Sequence, residues 1–484
     1  MQQPSRARRR ARGAGRGPGH QAAGALPGDP PGPKPRAYGA WAAWGTGVAV
    51  YVFAVAQRTS LGAAGLDAAE RFGISASALS AFPVFQVLVY AVAQIPVGLA
   101  IDRRGPRRVL ATGLVLLIAG QFGFAFATNY PSALVSRTAL GCGDAMIFVS
   151  VLRVVTNWFP SRRAPFIAQL TGLVGTLGNL FAVTALTSML PVLGWTVTFA
   201  VTGAPGCAVL AVVLLFLRES PDAPSPLSGM RWPRLRPRRP HGPSVRGRKQ
   251  EAGPGAGALT LAAQVRGAWQ EPGTRLGMWV HFTTSCWASP FLLLWGLPYL
   301  VDGQGLSRSE AGSLLGIVVV IGMGYSLLFG QLLSRRPQAR TPLMLTVVLT
   351  TCVLWGAVLG TPPGHTPPWL LVTLAVVLGA NGPASLVGLE YARPVNPPAR
   401  AATAAGMVIM GGFTATILAL LAMGAVLDAL TPPGSGGYSP TAFRIAFLVP
   451  YATTALGLVQ ILRLRGKAAA LEQPYRTRSG EPHA

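Results

Sequence analysis

Twelve apolar stretches, each long enough to cross the roughly 30 Å of a bilayer's hydrocarbon as a helix of about 20 residues, follow one another along this chain. They fall at approximately 40–60, 77–101, 107–128, 131–158, 164–190, 195–217, 276–300, 309–333, 341–360, 368–391, 401–427 and 443–463. That succession leaves few folds open, because a backbone in lipid must satisfy its own hydrogen bonds and does so only as helices or closed barrels. Half of the 484 residues are hydrophobic and 12% are charged, with a mean hydropathy of +0.43. The expected fold class is an all-α membrane protein with twelve transmembrane helices. Glycine and proline inside the stretches, as in "QIPVGLA", would destabilise a soluble helix, but membrane helices accept them and use small residues for close packing.

The net charge of +26 suggests nucleic acid until it is located. With the N-terminus inside and the stretches alternating, 35 of the 41 lysines and arginines fall on the inner side. Arg71, Arg308 and Arg444 lie outside, and Arg58, Arg137 and Arg153 lie within spans. This is the positive-inside bias of a multi-pass protein. It places both termini in the cytoplasm, and the Ala, Gly, Arg and Pro bias suggests a GC-rich bacterial genome and hence the plasma membrane. The tail "RARRRARGAGRGPG" lacks the interleaved aromatics and folded basic surface of a nucleic-acid site, so no nucleic-acid partner is expected. Residues 1–39 hold too little apolar side chain to bury a core and read as a disordered tail. They do not resemble a signal peptide.

A second break in composition, residues 218–275 with the Pro-rich basic run "RWPRLRPRRP", divides the spans six and six. It reads as a flexible cytoplasmic linker between bundles at 40–217 and 276–465, with 466–484 as a further tail. The halves repeat. "FGISAS" carries Gly73, Ser75 and Ser77 just before the second span, and "QGLSRS" carries Gly305, Ser307 and Ser309 just before the eighth, 232 residues on. Gly98 and Gly330 are also 232 apart, and Pro160 and Pro397 are 237 apart. A near-constant offset points to parallel repeats related by an axis along the membrane normal, with a substrate site at their interface near the midplane.

Between spans two and three stands "GLAIDRRGPRRVL". Its Gly98, Asp102, Arg103, Gly105, Arg107 and Arg108 resemble the G-x-x-x-D-[RK]-x-G-[RK]-[RK] signature of the major facilitator superfamily. The second copy departs from it, with Ser334 where the acid would stand. "RTALGCG" in span four, with Arg137, Gly141 and Gly143, resembles a second motif of that family. The resemblance covers about 40–465 and implies two pseudo-symmetric six-helix bundles acting as a secondary active transporter by alternating access. It also implies a monomer whose partners are the bilayer, a small solute and a coupling ion. Arginines suit the negative end of the helix dipole where span two ends, but an acid there needs a partner. The resemblance supplies one, an adjacent arginine and the N-terminus of span eleven, which closes the cytoplasmic side in the outward-facing state. Asp102→Asn is then expected to insert normally and transport poorly; unchanged uptake would remove the gating role.

Only three lysines occur, Lys34, Lys249 and Lys467, and none ends a phosphate-binding G-x-x-x-x-G-K-[ST] loop. There is no H-E-x-x-H and no nucleophile elbow, and Cys142, Cys207, Cys286 and Cys352 are isolated. No enzyme activity, metal or cofactor is expected, so a gradient, with H+ as the candidate coupling ion, must supply the work. In the family, spans one, four, seven and ten line the cavity. Asp144 lies about 20 Å into span four at 1.5 Å per residue, and an intramembrane acid is a functional candidate by default. Arg137, two turns earlier, is expected to pair with it through water. Arg58 reads as near the outer end of span one, where it either binds an anion or snorkels to the headgroups. His281 is a candidate proton relay or a packed residue, with Glu390 a further candidate for coupling. Tyr51, Trp287, Trp295 and Asn381 are candidate cavity liners, the tryptophans competing with an interfacial belt.

Arg58 and "NWFPSRRA", which looks like a loop of organic-anion and nitrate branches, favour transport of a small organic or inorganic anion. "GLVGTLGN" resembles the nitrate branch too, but spans two and eight lack that branch's arginines. Proton-coupled drug or metabolite export remains an alternative, although its G-P-x-x-G-G element is absent from "TGLVGTLGNLFAV". A non-transporting membrane sensor that uses the linker as a partner surface is the other.

Overall fold

The computed structural model describes residues 37–160, 163–221, 261–362, 365–397, 400–431 and 437–478. The tail before Ala37, the linker over 222–260 and residues 479–484 lie outside the described residues. Every regular element among those described is helical. Spans one to four are Ala37–Phe72, Ala76–Arg104, Pro106–Phe126 and Tyr130–Trp158. The apolar run Phe166–Phe216 is divided by Gly194, whose φ of +68° reverses the chain between spans five (164–193) and six (195–216). Span seven (272–303) is interrupted by π-helical turns at Phe291–Trp295 and Tyr299–Gly303. Spans eight to twelve are Arg308–Arg335, Arg340–Gly360, Pro368–Ala392, Ala401–Leu430 and Pro440–Gly466. Ten helical runs are long and apolar enough by themselves to cross a membrane. Dividing one of them at Gly194 and adding span seven, whose apolar content is diluted by residues such as His281 and Thr283, makes twelve.

Span one outruns the expected 40–60 because the charges that lower its hydropathy have partners: Arg58 bonds Asp144, Asp67 bonds Arg308, and Arg71 donates to the Ala127 carbonyl that ends span three. Two further differences concern segments read as linker and tail. Leu261–Gln270 is a helix, and the last helix runs on to Arg478.

The repeat has a physical basis at its first residues. Gly73 (φ +57°) and Gly305 (φ +73°) both take the left-handed conformation that favours glycine. Two residues later Ser75 and Ser307 cap spans two and eight, accepting from the amides of Ala78 and Glu310 at 3.3 Å each. In the second copy the Glu310 carboxylate returns the bond to the Ser307 amide at 2.9 Å, completing a capping box. Within the first half, spans three and four approach so closely that a Cβ on Gly143 would clash with the Gly113 carbonyl. Larger residues would force the pair apart, which gives the glycines of "RTALGCG" a packing role.

The halves meet where span one faces seven, two faces eleven and five faces eight. They are closed at the end marked by the Gly73 and Gly305 turns. There Asp67 pairs with Arg308 at 2.6 Å, and Ser80 Oγ donates to the Leu420 carbonyl at 2.8 Å. Asp428 of span eleven accepts from the amides of Ala76 (2.5 Å) and Ser77 (3.0 Å) and from the Ser77 hydroxyl. It thus caps span two from the opposite half. At the other end the ion pairs among the described residues run within one half, as Arg400 with Glu271 and Arg393 with Glu390. Removing the cap by Asp428→Ala should cost this closed arrangement about 0.5–2 kcal/mol. Spin labels at Glu70 and Ser309 should then report a larger share of long distances; an unchanged distribution would show that the cap does not hold the ends together.

Candidate functional site

Asp144 stands midway along span four and is 1% exposed. Both its oxygens are taken by Arg58 of span one, Nε to Oδ2 at 2.6 Å and Nη2 to Oδ1 at 2.8 Å. This two-point geometry is the strongest form of the pair. The arginine side chain keeps 26% of its surface exposed. Its Nη1 makes no hydrogen bond among the described residues. Tyr90 of span two lies under the guanidinium, 5.1 Å from ring centre to Cζ, within reach of a cation–π attraction. Gln86, one turn before Tyr90, donates to the Arg58 carbonyl at 3.5 Å. Tyr90 in turn meets Phe413 of span eleven edge-on at 5.8 Å. A line of contacts thus leads from the buried acid through Arg58 and Tyr90 to the opposite half.

Tyr51, two turns before Arg58, packs on Phe148 of span four at 4.8 Å and against Gly175 of span five, where a Cβ would have no room. It borders the ion pair.

The direct partner of Asp144 is Arg58 and not Arg137. Seven residues along one helix separate their backbones by about 10 Å, and Arg58 reaches the carboxylate from a neighbouring helix at its own level. Arg137 is fully buried and turns to span one, donating to the Gln57 carbonyl (3.3 Å) and Ser60 Oγ (3.1 Å) with its Cζ 4.8 Å over Phe124. Nor does Arg58 snorkel, because span one continues to Phe72 and leaves it in the interior. Asn381 is fully buried and donates to Thr351 of span nine at 3.0 Å. It stands 237 residues after Asp144, the offset that relates Pro397 to Pro160. The second half therefore holds a packed amide where the first holds the acid. His281 is 9% exposed, bonds Ser285 one turn on at 3.1 Å, and lies against Gly412 of span eleven. Trp287 and Trp295 form neither cavity wall nor interfacial belt. Both are buried, Trp287 stacked on Trp355 at 5.7 Å and donating to Thr454 at 2.9 Å.

At the signature loop, Gly98 is within span two, Gly105 ends that span with φ +80°, and Pro106 opens span three. Glu219 fills the space a side chain at 105 would need, Arg107 donates to the Leu214 carbonyl at 2.5 Å, and Arg103 and Arg108 are exposed. The Asp102 side chain lies outside the described residues. Sequence reasoning passed over Gln86, Tyr90 and Phe413, since an uncharged residue in an apolar run carries no mark of its partner on another helix.

Twelve spans in two repeated halves, with the Arg58–Asp144 pair beside their interface, define a multi-pass membrane protein of two-bundle architecture. The chain belongs to the Major Facilitator Superfamily, whose family model matches residues 47–389. Among curated relatives, the probable L-galactonate transporter of Escherichia coli is 28% identical over 31% of this chain and 33% of its own length. The probable sulfoacetate transporter SauU of Cupriavidus necator is 25% identical over 60% of this chain and 64% of its own. The chain thus aligns with between one third and just under two thirds of these two proteins. Among solved structures, a bacterial homologue of the human lysosomal transporter Spinster, inward-facing and unoccupied, superposes with a TM-score of 0.64. That match has 16% identity and covers 89% of this chain and 98% of the other. At that identity the likeness is one of fold.

Proposed function

We propose that this protein is a secondary active transporter of a small organic anion, of the sugar-acid or short-carboxylate kind. The observation that carries the reading is the asymmetry of the Arg58–Asp144 pair: the acid is sealed while the arginine, with Nη1 uncommitted, faces the seam between the halves. A carboxylate or sulfonate entering there meets a planar donor pair suited to two-point binding. Relatives named for L-galactonate and sulfoacetate are consistent with this chemistry. A substrate that draws Arg58 off Asp144 takes away the cation that balances the acid. A lone carboxylate in hydrocarbon is costly, so a proton follows, which couples uptake to the proton gradient. The arginine-rich loops face the cytoplasm of the plasma membrane, both termini lie inside and a monomer is the working unit. The arrangement closed at the Gly73 and Gly305 turns is then inward-facing, and Arg137 serves as a buried brace between spans one and four.

Proteoliposomes with an alkaline interior test the reading. Accumulation of galactonate, glucuronate, tartrate or sulfoacetate, with no uptake of neutral hexoses, is the expected result. Transport of neutral or cationic solutes while every carboxylate is ignored would overturn it.

A further inference from the structure

The helix Leu261–Gln270 lies directly before span seven, and its two faces differ. On the inner face Ala268 is fully buried in a cluster with Ala392, Ala404 and Val408. Gln264 accepts from Thr403 Oγ1 at 3.2 Å, and Gly267 leaves room for Arg400, whose Nη2 bonds Glu271 at 2.5 Å. Thr403, Ala404 and Val408 belong to the first two turns of span eleven, and Ala392 ends span ten. The helix is therefore held beside the ends of two spans.

Its outer face carries Ala262, Val265, Arg266 and Trp269, all exposed, with Val265 at 39% and Trp269 at 45%. Steps of three, four and seven residues align them in one stripe. Valine and tryptophan on a stripe that also bears an arginine are the composition of a helix lying in a membrane interface, where the indole rests among headgroups and the cation meets phosphate. The sequence just before the helix is complementary in charge to such a surface, since residues 222–260 hold eight lysines and arginines against two acids. We propose that Leu261–Gln270 is an interfacial anchor for anionic phospholipid, with Val265 and Trp269 at the acyl boundary and Arg266 on the headgroups. Through Arg400, Thr403 and Pro272 it ties the starts of spans seven and eleven to the lipid surface. The inference needs only that the chain spans a membrane, and it stands or falls separately from the substrate.

The full chain is placed in nanodiscs of phosphatidylcholine alone or mixed with phosphatidylglycerol, and amide exchange is followed by mass spectrometry. Exchange across 261–270 should slow roughly fivefold in the anionic discs, the scale of one basic residue's attraction to such a surface. Arg266→Glu should erase the difference while spans three and four exchange as before, which shows that the variant is folded. A benzophenone amino acid at position 269 should crosslink to lipid. Equal exchange in both discs, a lipid difference that survives Arg266→Glu, or a crosslink to protein instead of lipid would each overturn the proposal.

Discussion

Arg58→Leu should lower carboxylate uptake in proteoliposomes by roughly a hundredfold, the scale of losing a charged hydrogen-bonding partner of an anion. It should also destabilise the protein by about 3–5 kcal/mol, because Asp144 is left as an uncompensated charge at 1% exposure. The two effects separate in a double variant. Arg58→Leu with Asp144→Leu removes both charges, so the detergent unfolding midpoint should return toward that of the wild type while uptake stays lost. Arg58→Lys keeps the charge but not the fork that spans Oδ1 and Oδ2, and should retain stability better than uptake. If the double variant were no more stable than Arg58→Leu alone, the pair would not be the balanced buried charge described here. If Arg58→Leu transported normally, the arginine would be structural only.

What could be read from the sequence was whatever depends on local composition. Span count, the midpoint break and the repeat follow from runs of apolar residues and from punctuation such as Gly73 and Gly305, whose left-handed φ angles require a residue of that kind. Asp144 and Arg58 were conspicuous because a charge in lipid demands an explanation. Their pairing was not visible, since it depends on which helices are neighbours and on the level at which each side chain sits. The hydropathy pattern also ended span one too early: a window along the chain sees Arg58, Asp67 and Arg71 as charges and cannot see Asp144, Arg308 and the Ala127 carbonyl that receive them. Trp287 and Trp295 misled for the opposite reason. Tryptophan near a span end suggests an interface, yet here the indoles fill the core of the second half beside Trp355 and Phe447.

Asp144→Asn should abolish accumulation of substrate against a gradient and preserve exchange between equal pools. Asparagine has nearly the same shape and keeps one oxygen that can accept from Arg58, so the site stays assembled, but it cannot gain or lose a proton. Exchange requires only that the loaded carrier alternate between its two sides. Accumulation requires in addition that the empty carrier return in a different protonation state, and among the groups around Arg58 the Asp144 carboxylate is the one placed to supply it. The assay is counterflow of labelled substrate, compared with uptake driven by an imposed pH gradient in the same vesicles. Loss of both would mean that the carboxylate binds substrate or orients Arg58 for it, and the coupling role would then be unproven. Intact accumulation would remove Asp144 from coupling and move the search to His281, enclosed between Ser285 and Gly412, because Glu390 already lies between Arg393 at 2.9 Å and Arg340 at 3.9 Å.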